Sequence, residues 1–321
     1  DALSEWNAVE ARYDDKRGLP SGRRLGCQAC IQGDIVIAVP ASSQVHKQVV
    51  RKAASTREIA MDPATRLYLI EVAAPDMHEP SGDLERVRAA LDEQWNLPGL
   101  VAPLSVLRKL QPTLRKGNWQ VTVAVNSATA APTLIDIWPG YHEGPLWGLA
   151  IDLGSTTIAG HLCDLSSGRV AASAGGRNPQ IRFGEDLMSR VSYAMKNEGG
   201  AQDMTAAVLG ALDALAAEVC AEADIAPQDV VEAVFVSNPV MHHLLLGIDP
   251  VELGQAPFAL ATSGALTCEV QDLGLSQLNP AAQAYLLPCI AGHVGADAAA
   301  VALSEAPGKS EALELIVDVG T

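Results

Sequence analysis

The segment LAIDLGSTTIAGHLCDLSSGRVAA (149–172) runs from an apolar strand pattern through a short turn into a second apolar strand. Gly154 allows the backbone to turn tightly between them. Asp152 stands just before the turn, where a carboxylate can hold a hydrated Mg²⁺ together with phosphate oxygens. Successive backbone N–H groups in such a turn form a concavity that binds anions. Three residues can supply these groups: Ser155, Thr156 and Thr157.

A second copy of this pattern lies at the other end of the sequence, in ELIVDVGT (314–321). It repeats an apolar run, Asp, an aliphatic residue, Gly, and Ser or Thr. One such motif also occurs in simple hairpins, but two copies that each follow an apolar run are more specific. The repeat predicts that 147–321 forms a mixed β-sheet flanked by helices, with the strands 149–157 and 314–321 close together. The second copy contributes Asp318, Gly320 and Thr321.

Composition and charge limit the classes of partner. The 321 residues are 48% hydrophobic and only 4% aromatic, which favours an α/β core of Ala, Val, Leu and Ile. No run of about 18 apolar residues is uninterrupted, so we expect no membrane span and a cytoplasmic protein. Residues 146–321 hold 6 Lys and Arg against 21 Asp and Glu. That excess of carboxylates disfavours nucleic acid and anionic membranes, so a phosphate ligand would need backbone N–H groups and a metal ion.

The N-terminal segment GRRLGCQACIQGDIVIAVP (22–40) holds the cysteine pair that stands out chemically. After the helical pattern before it, this segment resembles the last third of an adrenodoxin-type [2Fe–2S] ferredoxin. The resemblance implies that Cys27 is the fourth cluster ligand and that Cys30 is not a ligand. The other three thiolates would precede Asp1, because such a cluster needs four. The alternative interpretation of Cys27 is a buried structural cysteine, and we expect no disulfides.

Four regions are predicted. Residues 1–40 are the ferredoxin remnant, and 41–63 are a linker. Residues 64–145 are a small α+β domain, with strand patterns at 65–72, 119–126 and 133–140 and helix patterns at 81–95 and 103–117. Pro112 is expected to break the second helix. No catalytic constellation is visible there. Residues 146–321 are an incomplete first subdomain of an ATPase.

The repeated Asp hairpin is similar to that of the acetate and sugar kinase, heat-shock chaperone and actin superfamily. In that superfamily two ribonuclease H-like subdomains each contribute one hairpin, called phosphate 1 and phosphate 2, and ATP lies between them. The resemblance implies that Asp152, Gly154 and the following Ser and Thr residues form phosphate 1, and that Asp318, Gly320 and Thr321 begin phosphate 2. Asp152 and Asp318 would position Mg²⁺ and water as the catalytic pair. The adenosine-binding subdomain would lie beyond Thr321.

The segments between the two hairpins make the resemblance more specific than the hairpins alone do. NPQIRFGEDLMSRV (178–191), NPVMHHLLLG (238–247) and GHVGAD (292–297) resemble the reductive activators of corrinoid proteins. The fold class is then α/β multidomain: a ribonuclease H-like subdomain of an actin-like ATPase, preceded by a small α+β domain and a ferredoxin remnant. The resemblance implies ATP hydrolysis coupled to reduction of a corrinoid protein from Co(II) to Co(I). The electron would come from the iron–sulfur domain, and the partner would belong to a methyltransferase system.

Several polar residues keep two interpretations. Asn178 and His293 are candidates for nucleotide binding. Asn178, which precedes a proline, could instead simply begin a loop, and His293 could instead satisfy a backbone carbonyl. The adjacent histidines His242 and His243 point about 100° apart on a helix, which disfavours a metal pair. Arg190 is interpreted as a residue at the surface or at a subdomain interface.

Two other functions stay open. A metabolite kinase would use the same cleft but would need a substrate base and no ferredoxin end. An ATP-gated interaction protein would use the fold as a switch without catalysis. The oligomeric state is open as well, with a homodimer as one alternative.

Overall fold

The computed structural model describes residues 2–36, 60–306, 313 and 315–317. They belong to two compact units, one within 1–48 and the other within 49–321. The predicted linker 41–63 lies outside the described residues except for its last four positions. The alternating pattern DIVIAVP (34–40) predicts a strand, but residues 34–36, which are the described part of it, are not in a strand.

The N-terminal unit contains one helix, α1 (Ala8–Arg17), among its described residues. Asn7 caps this helix, accepting hydrogen bonds from the N–H groups of Val9 and Glu10, while the Glu10 side chain accepts from the Asn7 N–H. This reciprocal capping box satisfies N–H groups that the first helical turn leaves unpaired. The predicted helix and the loop that follows it are thereby confirmed.

The larger unit begins with an antiparallel sheet of three strands in the order β1-β2-β3. Two helices cover one of its faces, and their apolar side chains share one buried cluster with the strands. These elements match the predicted strand and helix patterns. Their bounds are β1 (Thr65–Glu71), α2 (Asp83–Trp95), α3 (Leu104–Lys116), β2 (Gln120–Asn126) and β3 (Thr133–Pro139).

Helix α3 corrects one prediction, because it continues through Pro112. A proline removes one backbone donor and crowds the preceding turn, at a cost of about 3 kcal/mol in a helix interior. Burial of Val106, Leu110 and Leu114 against the sheet offsets that cost. Each fully buried aliphatic side chain contributes about 1.5–3 kcal/mol.

The second sheet has six strands in the order β6-β5-β4-β7-β9-β8. Strand β4 pairs antiparallel with β5 and parallel with β7, and β7 pairs parallel with β9. The carboxyl ends of β4, β7 and β9 therefore lie at one edge of the sheet. This is the mixed sheet that the sequence predicts. Its strands are β4 (Trp147–Leu153), β5 (Thr157–Asp164), β6 (Val170–Arg177), β7 (Val230–Ser237), β8 (Leu266–Glu269) and β9 (Gln283–Leu286).

Four helices accompany this sheet: α4 (Leu187–Lys196), α5 (Gly200–Glu222), α6 (Pro239–Leu245) and α7 (Ala296–Glu305). Helix α5 is long and apolar enough to cross a membrane by length and composition. Its buried face, which includes Met204, Val208 and Leu212, packs within the main core against β5 and β6. That packing is typical of a core helix, and the cytoplasmic location stays a prediction.

The two sheets of the larger unit are joined by buried polar contacts as well as by apolar ones. The Thr65 hydroxyl donates to Glu232 over 2.7 Å. The Asn279 amide donates to Asp136 over 2.8 Å. Ala281 lies in the core of the three-stranded sheet. The three-stranded sheet is therefore packed onto the six-stranded one.

The predicted strand at 314–321 is not formed where the structure describes it. Residues 315–317 are outside any strand, and Leu315 is 88% exposed. Asp318, Gly320 and Thr321 lie outside the described residues, so the second hairpin stays a prediction.

Candidate phosphate-binding site

The turn between β4 and β5 lies at the edge of the sheet where the parallel strands end. Asp152 is half-buried on β4, paired with Ala159 on one side and Val236 on the other. The Gly154 N–H donates to the Thr157 carbonyl over 3.0 Å and closes the turn. A Cβ on Gly154 would lie 2.7 Å from that oxygen, so a larger residue would force the turn to open.

The middle of this turn faces solvent in part. Residues 154–157 are all half-buried, which leaves the turn accessible. Within the described part of the chain, no acceptor is hydrogen-bonded to the Ser155 N–H. A half-exposed N–H in a tight turn is a ready donor for an anion.

Asn178 lies directly behind the turn and is 1% exposed. Its side-chain nitrogen donates to the Gly154 carbonyl over 2.8 Å. Its backbone N–H donates to the Thr156 carbonyl over 2.9 Å, and its side-chain oxygen accepts from the Gln180 N–H over 2.9 Å. The side chain supports the turn from within the protein, and a direct contact with nucleotide stays a prediction.

Arg190 corrects the expectation of a surface or interface residue, because its side chain is 0% exposed. Its guanidinium donates to the Ser155 carbonyl in the turn. It also donates to the Gly184 carbonyl over 3.0 Å and to the Gln180 side chain over 3.4 Å. No described carboxylate forms an ion pair with it. Burial lowers the pKa of Arg190 to about 10, so the group stays charged at neutral pH.

Sequence reasoning missed Arg190 because an arginine on an amphipathic helix is usually solvated. One signal was present: Gly184 precedes the helix, and a Cβ there would lie 2.8 Å from the Arg190 backbone nitrogen. A glycine at this point lets the 184–186 loop approach the helix closely, with Asp186 as the N-cap.

The candidate histidines differ in environment. His243 is buried, with Nδ1 donating to the Pro239 carbonyl over 2.9 Å and Nε2 accepting from the Ala261 N–H over 3.0 Å. Burial lowers the pKa of His242 to about 4, with the neighbouring His243 adding to the shift, so it is neutral at physiological pH. Among the described residues there is no group of three or more His, Cys, Asp or Glu arranged to hold a metal ion.

His293 is exposed in the loop before α7, with its ring 4.2 Å from that of Phe258. The same loop approaches the carboxyl end of β7. A Cβ on Gly295 would lie 2.5 Å from both the Ser237 oxygen and the Asn238 Cα. The nucleotide-binding role of His293 stays a prediction.

The loop that carries Cys27 is anchored by a buried ion pair. The Arg24 guanidinium donates to the Glu10 carboxylate over 2.8 and 2.6 Å. The Leu25 N–H donates to the same carboxylate over 3.2 Å. These bonds, with the Arg24 hydrogen bond foremost, lower the pKa of Glu10 to about 2. Cys27 itself is exposed, so it is not a buried structural cysteine.

The cysteines of the described residues do not by themselves fit a [2Fe–2S] cluster. The N-terminal unit offers the exposed thiols of Cys27 and Cys30, whereas four thiolates are required. Burial raises the pKa of each of the four cysteines of the larger unit, which disfavours the thiolate form: Cys163, Cys220, Cys268 and Cys289.

Comparison with known proteins identifies the family of this chain. A model of the RACo linker region matches residues 54–144, and a model of the RACo middle region matches residues 147–306. The chain belongs to the RACo family. The linker-region model includes the three-stranded sheet, which is predicted above to be a separate α+β domain. The predicted domain limits stay predictions.

Two relatives of this RACo-family chain carry functional descriptions. One is the corrinoid activation enzyme RamQ of Eubacterium limosum, 28% identical over 300 residues, which span 92% of this chain and 48% of RamQ. The other is a solved structure described as a reductive activator for corrinoid, iron-sulfur protein. It has a TM-score of 0.72 and 28% identity, over 90% of this chain and 47% of its own. The chain thus spans about half the length of each.

Proposed function

We propose that this protein carries out ATP-dependent reductive activation of a corrinoid protein, from Co(II) to Co(I). The observation that carries the proposal is an accessible β4–β5 turn, with Asp152 beside it, in a chain whose relatives are described as corrinoid activators. The larger unit is assigned to nucleotide binding. Its ribonuclease H-like, actin-like character is part of the proposal.

Three features of the turn support phosphate binding. The Ser155 N–H is available to an anion, and Gly154 keeps the backbone close to the strand that follows. Asn178 and Arg190 hold the turn from behind through its carbonyl groups. Because the carbonyls are occupied by these donors, the opposite side of the turn is left to N–H groups, as an anion requires.

The residues present also fit Mg²⁺ bound with the phosphates. Mg²⁺ usually keeps several water ligands and takes one or two carboxylates in addition to phosphate oxygens. Asp152 supplies one half-exposed carboxylate at the end of β4. In the proposal it orients the hydrated ion, and Asp318 would contribute from the second hairpin.

In the proposal, the free energy of ATP binding is what couples ATP to the reduction of cobalt. Reduction of Co(II) adds one electron to the cobalt of the partner protein, and a low-potential one-electron donor must supply it. ATP changes this equilibrium only as far as it binds one docked arrangement of the two proteins more tightly than the other. Hydrolysis of ATP to ADP and phosphate then releases that arrangement.

The electron source in the proposal is a [2Fe–2S] cluster. The resemblance assigns Cys27 to a [2Fe–2S] cluster, and the thiol is exposed on a loop fixed to α1. The remaining ligands would have to come from outside the described residues. The role of Cys27 therefore rests on the family resemblance.

The proposal is tested by measuring ATP hydrolysis by the full-length protein with and without a corrinoid protein in the Co(II) state. We expect turnover to rise when the corrinoid protein is added, and to be lost in the Asp152→Ala variant. Circular dichroism should give the same fold for that variant, because Asp152 is half-exposed at a turn.

Two outcomes would contradict the proposal. Hydrolysis stimulated by a small metabolite that becomes phosphorylated would indicate a kinase. Tight ATP binding without hydrolysis under any condition would indicate an ATP-gated interaction protein.

A further inference from the structure

We propose that Asn178 is a positioning residue for the nucleotide: its buried side-chain amide holds the Gly154 carbonyl and thereby directs the Ser155 N–H at a phosphate oxygen. The inference rests on the proposed function. It gives Asn178 an indirect role in place of a direct contact with the nucleotide, because Asn178 is 1% exposed and lies behind the turn, whereas Ser155 is half-buried.

The peptide bond between Gly154 and Ser155 connects the buried side chain to the ligand. The Asn178 Nδ2 donates to the Gly154 carbonyl over 2.8 Å. This peptide bond is trans, so its C=O and N–H groups point in opposite directions. The Ser155 N–H therefore points away from the buried Asn178 side chain. Among the described residues no acceptor is bonded to this N–H, which leaves it available to a ligand.

The orientation of the Asn178 amide follows from its other partner. Its Oδ1 accepts from the Gln180 backbone N–H over 2.9 Å. Because an N–H can bond only to the oxygen of a side-chain amide, the nitrogen must face the Gly154 carbonyl. The Gln180 side chain also donates to the Met204 carbonyl over 2.9 Å. Met204 belongs to α5 and is fully buried, so the donor that holds the turn is fixed from the main core.

Asn178 holds the turn at a second point as well. Its backbone N–H donates to the Thr156 carbonyl over 2.9 Å. One buried residue therefore binds the carbonyl groups on both sides of Ser155 and limits the rotation of the peptide groups between them. The hydrogen bond to the Gly154 carbonyl also polarises that peptide group, which makes the Ser155 N–H a stronger donor. Loss of the side-chain donor should therefore weaken the contact with phosphate.

The first test compares Mg-ATP and adenosine binding by titration calorimetry in variants of the full-length protein. Asn178→Ser keeps a side-chain oxygen near the Gln180 N–H and removes the donor to Gly154. Asn279→Ser is the matched control, because Asn279 is also buried, accepts from the N–H two residues further on and donates to a distant partner, Asp136. Asn279 precedes β9 and lies at the edge of the sheet opposite to the turn.

We expect Asn178→Ser to weaken Mg-ATP binding about tenfold, which corresponds to about 1.4 kcal/mol, because the Ser155 N–H loses its alignment with a charged acceptor. Adenosine affinity should change less than about twofold, since adenosine has no phosphate. Asn279→Ser should lower the free energy of unfolding as Asn178→Ser does, but leave Mg-ATP affinity within about twofold of wild type. Denaturant unfolding measures the change in stability of both variants.

A second test needs no change at Asn178. Gly154-Ser155 is the one Gly-Ser pair in these 321 residues, so labelling the glycine carbonyl carbon with ¹³C and the serine nitrogen with ¹⁵N selects the NMR signal of its amide. Ser155→Ala removes that signal and so assigns it in the full-length protein. Addition of Mg-ATP should move the amide proton downfield, as a hydrogen bond to phosphate does. Addition of adenosine should not.

Three results would overturn the inference: equal weakening of Mg-ATP and adenosine binding in Asn178→Ser, selective weakening of Mg-ATP binding in the control as well, and a Ser155 signal that Mg-ATP leaves unchanged. If Asn178→Ser does not fold, the Ser155 signal of the wild type decides. Wild-type protein that binds no Mg-ATP would overturn both this inference and the proposed function. Wild-type protein that binds Mg-ATP but does not respond to the corrinoid protein would overturn only the proposed function.

Discussion

Arg24 and Arg190 do the same structural task in the two compact units, but with opposite electrostatics. Each is an arginine that holds a loop against the rest of its own unit. Arg24 donates to Glu10, a buried carboxylate, whereas Arg190 donates to neutral acceptors and has no ion-pair partner among the described residues. The pKa of Arg24 is accordingly raised, mainly by the hydrogen bond to Glu10, and that of Arg190 is lowered by burial to about 10.

The two arginines differ in how the protein balances their charge. The Glu10–Arg24 pair is complete within the protein, so the loop around Cys27 is held in place without a ligand. The hydrogen-bond acceptors of Arg190 are neutral groups, and the nearby Asp186 carboxylate favours its charge without forming an ion pair with it. We therefore expect mutations at the two arginines to have different effects on stability and on ATP binding.

The largest effect should come from Asp152, which lies at the proposed phosphate site. Asp152→Asn should slow ATP hydrolysis by the full-length protein at least about 100-fold, because a metal ion and its carboxylate supply several kcal/mol of transition-state stabilisation. Asp164→Asn is the control, since Asp164 lies at the far end of β5 and bonds to Ser166 and Ser167. Hydrolysis at wild-type rates in Asp152→Asn would refute the phosphate 1 assignment.

The next largest effect should come from breaking the internal anchor. Arg24→Met leaves the Glu10 carboxylate buried without its cation, so amide exchange at Leu25 should accelerate at least about tenfold. Mg-ATP affinity should stay within about twofold of wild type. Hydrogen exchange followed by mass spectrometry measures the first effect, with the exposed Arg17→Met as control. A large loss of ATP affinity in Arg24→Met would contradict the proposed difference between Arg24 and Arg190.

A smaller effect is expected from the turn backbone. Gly154→Ala places a Cβ 2.7 Å from the Thr157 oxygen, whereas a Cβ on Gly176 meets nothing within 4 Å. Gly154→Ala should destabilise the larger unit by about 1–3 kcal/mol and weaken Mg-ATP binding about tenfold. Gly176→Ala should do neither. Denaturant unfolding and calorimetry on the two variants provide the comparison, and equal behaviour would mean that the turn is not held tightly.

The smallest effect concerns pH and Glu10. Its pKa falls from an ordinary 4.5 to about 2 in the folded protein. A lowered carboxyl pKa contributes stability that is present above pH 4.5 and is lost as the pH falls toward about 2. The indole N–H signal of Trp6, whose ring lies 5.4 Å from the Arg24 guanidinium, should follow this loss. Glu10→Gln should abolish that pH dependence, while Glu5→Gln, at an exposed position, should keep it.

Much of the fold could be predicted from residue patterns, because most of its elements have strong local signals. Strands β1 to β5 follow apolar runs, and α6 begins at the pair Asn238-Pro239, which is a typical helix start. The uninterrupted path of α3 through Pro112 could not be predicted, since it depends on packing against a sheet formed by distant residues. The joining of the two sheets through Asp136 and Asn279 is equally non-local, because 143 residues separate the partners.

The residues of the candidate site also fall into those that could be predicted from sequence and those that could not. The turn residues Asp152 and Gly154 could be predicted because both belong to one short sequence motif. Asn178 could be predicted as a candidate, but its support of the turn from behind could not, and neither could that of Arg190, because both reach the turn from other elements. A buried arginine is decided by tertiary packing, which no local pattern encodes.

The most direct test of the account is the oxidation state of cobalt. A corrinoid protein in the Co(II) state is mixed with the full-length protein and a one-electron reductant too weak to form Co(I) alone, and the absorbance spectrum is followed. With Mg-ATP and wild-type protein the account predicts that Co(I) accumulates, and that Asp152→Asn prevents it. Co(I) that forms equally well without ATP, or with Asp152→Asn, would contradict it.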